Sequence, residues 1–329
     1  MDLAQTCPAR TDRMGTGIAC GVGAGALWGL VFLAPELARA FSPIELAIGR
    51  YLCYGLISVT LLLPRLRRLL HDIGGKGLLA LCWLSLTGNI IYYILVSSAV
   101  QMGGIAMTSL VVGFLPVTVT IIGSRDRAAV PLAKLAPSLL LCTGGALCIG
   151  WQALGAAGSG TGSGAASMIR LIGFVCALGA LISWTCYAVG NSRWLHRLGS
   201  VSAQEWNLLI GVVTGAQAIM LIPVALLIGT SGHGAADWIH FAAVSAGVAV
   251  LASIFGNALW NQMSRLLPLT MIGQMILFET LFALVYGFIW EQRLPTAFET
   301  AAFVLLVLSV TTCLAAHRKP AGPTLATAG

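Results

Sequence analysis

Ten apolar segments of about 20 residues divide the chain, at 18–40, 43–63, 78–99, 104–123, 131–151, 168–191, 203–229, 237–259, 268–290 and 296–316. A bilayer core about 30 Å thick is crossed by about 20 apolar residues of α-helix, so each segment is long enough to span. Inside lipid a backbone must satisfy its own hydrogen bonds, which leaves helices as the form such segments take. Composition excludes the soluble alternative: 9% of the 329 residues are charged and 58% are hydrophobic, where a water-facing chain carries about 25% charged residues. The expected fold is therefore all-α and integral to the membrane, with ten transmembrane helices. Arg10 and Arg13 ahead of the first segment resemble the start of a secretory leader. The apolar run from Ile18 to Ala40 is too long for one and closes in no small-residue cleavage pattern, so it reads as an uncleaved first helix.

Ten spans place both termini on one side. Fourteen Lys and Arg residues fall on that side, among them Arg65, Arg67, Arg68, Arg125, Arg127, Arg193, Arg197 and Arg318; three, Arg39, Arg170 and Arg293, fall on the other, and Arg50 lies inside the second span. Cytoplasmic loops collect basic residues, so both termini are expected in the cytoplasm, in a multi-pass protein of the inner (plasma) membrane. The net charge of +7 then reports orientation, and no nucleic-acid partner is expected. Eight of the nine cysteines lie within apolar segments and no C-x-x-C occurs. Such cysteines behave as small hydrophobes, so neither a disulfide framework nor a metal site or cofactor is expected. His233, Asp237 and His240 have a spacing that could hold a metal on a helix start, but a solvated edge explains them better.

The Gly/Ser-rich stretch "GAAGSGTGSGAAS", Gly155 to Ser167, has the composition of a flexible linker. It separates five spans from five, giving a first half at 14–151, a linker at 152–167 and a second half at 168–317. The halves share signals. "FSPIEL" at 41–46 and "VSAQEW" at 201–206 both carry the S-x-x-E capping box, and each follows a helix bearing a tryptophan, Trp28 or Trp184. "GN" recurs at Gly88–Asn89 and Gly256–Asn257. Because five is odd, the second half enters the membrane from the opposite side. Inverted repeats of this kind are a recurrent transporter architecture, with the site near the midplane where the repeats meet.

With "ALWGL" in the first span, "IGRY" in the second, "LVVGFLPVTVT" in the fourth and "LFETLFALVYGFIWEQ" in the ninth, the chain resembles the drug/metabolite transporter superfamily, in its EamA-like branch. Two departures stand out: Leu115 occupies the carboxylate position beside Pro116, and Thr280 replaces proline after Glu279. The resemblance implies two EamA-like repeats forming a secondary transporter of small organic metabolites, with amino-acid export as the first expectation. Import or exchange of a phosphorylated or nucleotide-linked metabolite is the alternative, and a membrane-embedded enzyme a more distant one. Neither H-E-x-x-H nor G-x-S-x-G occurs, and the five histidines fall in loops or at span ends, so no enzyme is expected. Expected partners are the lipid bilayer, a small-molecule substrate and, as coupling ion, the proton, in a monomer or homodimer.

Glu279 is the residue that most needs an explanation. A carboxylate deep in a span costs at least about 2.5–3.5 kcal/mol and usually faces a cavity or a partner. It reads as a coupling or substrate-binding group, against a structural Glu hydrogen-bonded between helices. Arg50 is its candidate partner, with snorkelling to the interface as the alternative. Pro116 reads as a helix kink that either lines the substrate path or serves packing. Trp28, Asn89, Tyr92 and Tyr93 in the first half, with Trp184, Tyr187, Asn257, Trp260, Asn261 and Gln274 in the second, are candidates to stack and orient an organic substrate. The alternative for each is helix–helix contact. Gly17, Gly21, Gly25 and Gly29 form a glycine face on the first span, suited to close helix approach.

Overall fold

The computed structural model describes residues 10–123, 132–158, 164–195, 197, 201–228, 232–267 and 269–317. Among these, every regular element is helical: α1 Arg10–Leu37, α2 Pro43–Leu62, α3 Leu66–Ser85, α4 Tyr92–Val112, α5 Leu115–Gly123, α6 Leu132–Gly158, α7 Gly164–Leu195, α8 Ala203–Ile228, α9 Ala235–Val248, α10 Asn257–Leu266, α11 Leu269–Met275, α12 Leu277–Glu291 and α13 Ala297–His317. Two wide π-helical segments, Leu86–Ile91 and Ala249–Gly256, join α3 to α4 and α9 to α10. Six continuous stretches are long and apolar enough to cross a membrane: 14–37, 43–62, 66–119, 168–195, 203–227 and 235–266. A shorter apolar helix, Ala297–Cys313, follows. The chain is thus an all-helical membrane protein.

The 54-residue stretch at 66–119 would be about 80 Å long as one straight helix, far more than a bilayer core. It is divided where Gly104 takes φ +85°, a conformation that favours glycine. The bend is tied down from outside: Gln101 Nε2 donates to Phe41 O at 3.0 Å and Arg39 Nη2 to Gln101 O at 3.2 Å. Gly74, at φ +61°, divides α3 in the same way. Of the Gly/Ser-rich stretch, Gly155–Gly158 closes α6 and Gly164–Ser167 opens α7, while 159–163 lies outside the described residues, as do Arg125, Arg127 and Arg318.

Both expected capping boxes are formed. Glu45 N donates to Ser42 Oγ at 3.3 Å and Ser42 N to Glu45 Oε2 at 2.7 Å; the Ser202–Glu205 pair repeats this at 3.1 and 2.9 Å. A third starts α13, where Glu299 closes on Thr296 and also receives a two-pronged Arg293 at 2.7 Å per prong.

The main helix partnerships are α2 with α8, α4 with α7, α6 with α13 and α1 with α12. Glycine decides how closely two of them approach. At the α2–α8 crossing, Gly55 faces Gly215 so tightly that a Cβ on Gly55 would lie 2.6 Å from Gly215 Cα. The glycine face of α1 meets α10 to α12: Gly21 against Met263 and Met275, Gly25 against the Phe278–Glu279 backbone, Gly29 against Ala283 N. These contacts bring the backbone of α1 onto the residue whose charge most needs a place.

Candidate functional site

Glu279 lies in the first turn of α12, directly after a break. Helix α11 ends at Met275, Ile276 is a turn, and Glu279 N donates to Ile276 O at 3.0 Å. The carboxylate therefore sits at the N-terminal end of a half-helix, where the backbone dipole and unpaired N–H groups favour negative charge. The matching interruption in the first half falls at Gly113–Phe114. The interruption lies two to three residues ahead of Pro116, whose ring clashes, in a continuous helix, with the carbonyl four residues back and which lacks the N–H that would bond it; Pro116 itself stands in the first turn of α5. The two breaks touch. Thr280 Oγ1 donates to Ser109 O at 3.4 Å, and a Cβ on Gly113 would meet Thr280 Cγ2. The residue standing in for proline after Glu279 thus bonds the broken helix of the other half.

A partly enclosed cavity of about 50 Å³ lies beside Glu279, and the helices around it come from both halves of the chain. Ten of the expected site residues line it: Trp28, Arg50, Asn89, Tyr92, Trp184, Tyr187, Asn257, Trp260, Asn261 and Glu279. Two do not. Tyr93 lies behind the wall, its ring beneath the Arg50 guanidinium at 4.5 Å. Gln274 sits in the α11–α13 contact, where its Oε1 accepts from Ser309 at 3.3 Å. Tyr51, Asn191, Trp206 and Asn207 also line the cavity and were not singled out from the sequence. Asn191 and Asn207 are amides in apolar segments, the same signal that marks Asn89; Tyr51 adjoins Arg50.

Three indoles form one wall. Trp28 and Trp260 pack at 4.8 Å between ring centroids, tilted by 36°, and Trp184 meets both edge-on at 6.1 and 6.2 Å. Their placement follows from glycine. Gly256, at the end of the second π segment, lies under Trp28, and Gly88, in the first, lies under Tyr187. A wide turn displaces backbone from its ladder and recurs at functional sites. Gly88–Asn89 sits on the first such turn, Gly256 closes the second with Asn257 opening α10 beside it, and both asparagines line the cavity. Asn89 Nδ2 bonds Thr214 Oγ1 at 3.2 Å, Asn257 Nδ2 bonds Asn207 Oδ1 at 3.2 Å, and Trp206 Nε1 bonds Asn191 Oδ1 at 2.8 Å.

The charges are held apart. Arg50 is 7% exposed and Glu279 4%; they line the same cavity, yet no ion pair within 4.0 Å joins them. Arg50 instead donates through Nε and Nη2 to Ser253 Oγ at 3.3 and 3.2 Å and lies over the Tyr51 and Tyr93 rings. Tyr92 lines the cavity with Glu279. The three residues at metal-like spacing are spent locally: His233 stacks on Phe41 at 4.2 Å, Asp237 Oδ2 accepts from Gly234 N at 2.9 Å, and His240 Nε2 lies 2.9 Å from Leu37 O. Among the described residues no group of three ligating side chains comes together.

Three comparisons bear on identity. Residues 15–151 match the EamA-like transporter family. The chain is 30% identical over 331 positions to the Inner membrane protein YtfF of Escherichia coli (strain K12), covering 94% of this chain and 97% of that one. A solved crystal structure at 18% identity shares the fold, with a TM-score of 0.61 over 92% of this chain and 99% of that chain. With near full-length similarity to an inner membrane protein and the helical arrangement above, the chain belongs to the EamA-like family of the drug/metabolite transporter superfamily.

Proposed function

We propose that the chain is a secondary transporter that exports small organic metabolites, amino acids first among them, by alternating access, with the cavity as substrate site and Glu279 as the proton-coupling carboxylate. What carries the reading is one observation: two buried charges of opposite sign, unpaired with each other, face one cavity walled by indoles and amides. A polar cavity with unneutralised charge, deep among apolar helices, is expensive to keep and is the form a site takes when the missing partner is a solute or a proton. About 50 Å³ has room for a few waters, each needing roughly 10–15 Å³, and none for an organic solute. Substrate entry therefore requires the surrounding helices to part, as alternating access demands.

Ten spans in two inverted halves, with both termini cytoplasmic, complete the proposal. Support comes from exchanged contacts. Gly55 and Gly215 meet each other, and each lies thirteen residues after its helix cap (55 − 42 = 13; 215 − 202 = 13). Gly88 under Tyr187 of α7 mirrors Gly256 under Trp28 of α1, and the α4–α7 contacts at Leu95 and Met102 mirror those of α1 with α10 at Leu259 and Met263. A lone guanidinium at the cavity speaks against phosphorylated substrates, which call for more than one.

The deciding experiment is reconstitution of the full chain in proteoliposomes. Counterflow of labelled amino acids with net flux driven by a pH gradient is expected. Absence of counterflow for every solute in a broad metabolite panel would defeat the transporter reading.

A further inference from the structure

Two side chains that line the cavity each carry a fully buried donor with no acceptor: Arg50 Nη1 and Asn207 Nδ2. Both side chains are more than nine-tenths buried and both line the cavity. A buried donor without a partner is costly, and more so when charged. The rest of each side chain is firmly held, which makes the two vacant N–H groups more telling. Arg50 is fixed by its two bonds to Ser253 on the second π segment and by the Tyr93 ring beneath it. Asn207 is fixed by Asn257 through its Oδ1 and by Tyr54, whose hydroxyl donates to its carbonyl at 2.7 Å. Glu279, the acid that lines the same cavity, does not close on Arg50 within 4.0 Å. Arg50 Nη1 is closed off in this state, so a planar guanidinium held rigid with one nitrogen unbonded becomes a carboxylate receptor once the helices around the cavity part.

We infer that Arg50 and Asn207 bind the carboxylate of the transported substrate, so that the site selects amino acids over the corresponding decarboxylated amines. The inference rests on the transporter reading above and adds the group by which the substrate is recognised. Its apolar or amine end then lies on the indole wall, whose ring faces attract cations. In this arrangement Glu279 stays free of the substrate carboxylate and available to a proton.

The test uses the full chain purified in detergent and thermal unfolding with three probes at equal concentration: a pool of the twenty L-amino acids, a pool of their decarboxylated amines, and a pool of hexose monophosphates. The amino-acid pool is expected to raise the unfolding temperature and the other two to leave it unchanged. Arg50→Lys keeps the charge but loses the planar edge, and should weaken the amino-acid response by about tenfold to a hundredfold in the concentration required. Should Arg50→Lys fail to fold, Asn207→Asp supplies the second reading: it replaces a donor by a repelling charge and should abolish the same response. Equal stabilisation by the amine pool, a response to hexose phosphates alone, or an unchanged response in a folded variant would overturn the assignment. The transporter reading would survive any of these, because counterflow judges it separately.

Discussion

Gly25→Ala is the smallest change expected to disturb Glu279 without touching its side chain. An added Cβ would lie 2.5 Å from Phe278 Cβ, 2.8 Å from Phe278 C and 2.9 Å from Glu279 N. Against a tight but tolerated contact of 3.4 Å, the shortfalls are 0.9, 0.6 and 0.5 Å. Two of the three atoms are backbone, so no rotamer change relieves them, and α1 must move off α12. Overpacking of this kind costs about 1–3 kcal/mol, partly offset by the roughly 1 kcal/mol that Ala gains over Gly in a helix interior. Gly247→Ala in α9 is the matched control: nothing lies within 4 Å of its added Cβ, so only the helix gain remains. The two variants should therefore differ by about 1–3 kcal/mol in thermal unfolding of the detergent-purified protein, Gly247→Ala being the more stable. Displacement of the Glu279 backbone should also slow counterflow in Gly25→Ala alone. Equal stability and equal transport in the two variants would refute the claim that this glycine positions the carboxylate.

Glu279→Gln should keep the fold but flatten the dependence of uptake on pH between 5.5 and 8; the groups facing it, Tyr92 and Arg50, remain in place, so a surviving pH profile would move the coupling role elsewhere. Ser42→Ala and Ser202→Ala should each lower stability by about 1 kcal/mol through loss of a helix cap, read as an earlier thermal transition, with no change in substrate selectivity. Glu299→Ala removes the acid half of the α13 capping box and leaves the partly exposed Arg293 with Glu291 as its acid partner, and should cost about 1–2 kcal/mol, seen as an earlier thermal transition. A reporter fused after His317 should be active in its cytoplasmic form; activity only outside the cell would reverse the orientation.

The helical segments were legible because the 3.6-residue period hardly matters in lipid: length and apolarity alone mark a span, and the caps at Ser42 and Ser202 mark starts. What lay beyond the sequence is where helices stop being regular. Gly104 reads like any other glycine until its positive φ is seen, and nothing in "LTGNII" distinguishes a π turn from an α turn. Polar residues in apolar segments led to ten of the cavity's lining residues. The pairing of Arg50 could not be read the same way, because its partner, Ser253, is an ordinary small residue brought near only by the second wide turn. Pro116 marks an interruption in the sequence, and the turn falls at Gly113–Phe114 just before it, on the side where a proline disturbs a helix. Gln274 was chosen for depth and polarity, and depth alone cannot tell a cavity wall from a helix contact.

The meeting of Gly55 with Gly215 has a consequence for mutational genetics. Most tight contacts in a protein can be repaired by shrinking the opposing side chain: bulk at Gly88, for example, could be accommodated by truncating Tyr187, which faces it. At the α2–α8 crossing no such repair exists, since the opposing residue already has no side chain to give up. A loss-of-function substitution at either glycine should have no suppressor at the other. Revertants should restore the glycine itself or loosen the helices at a distance from it.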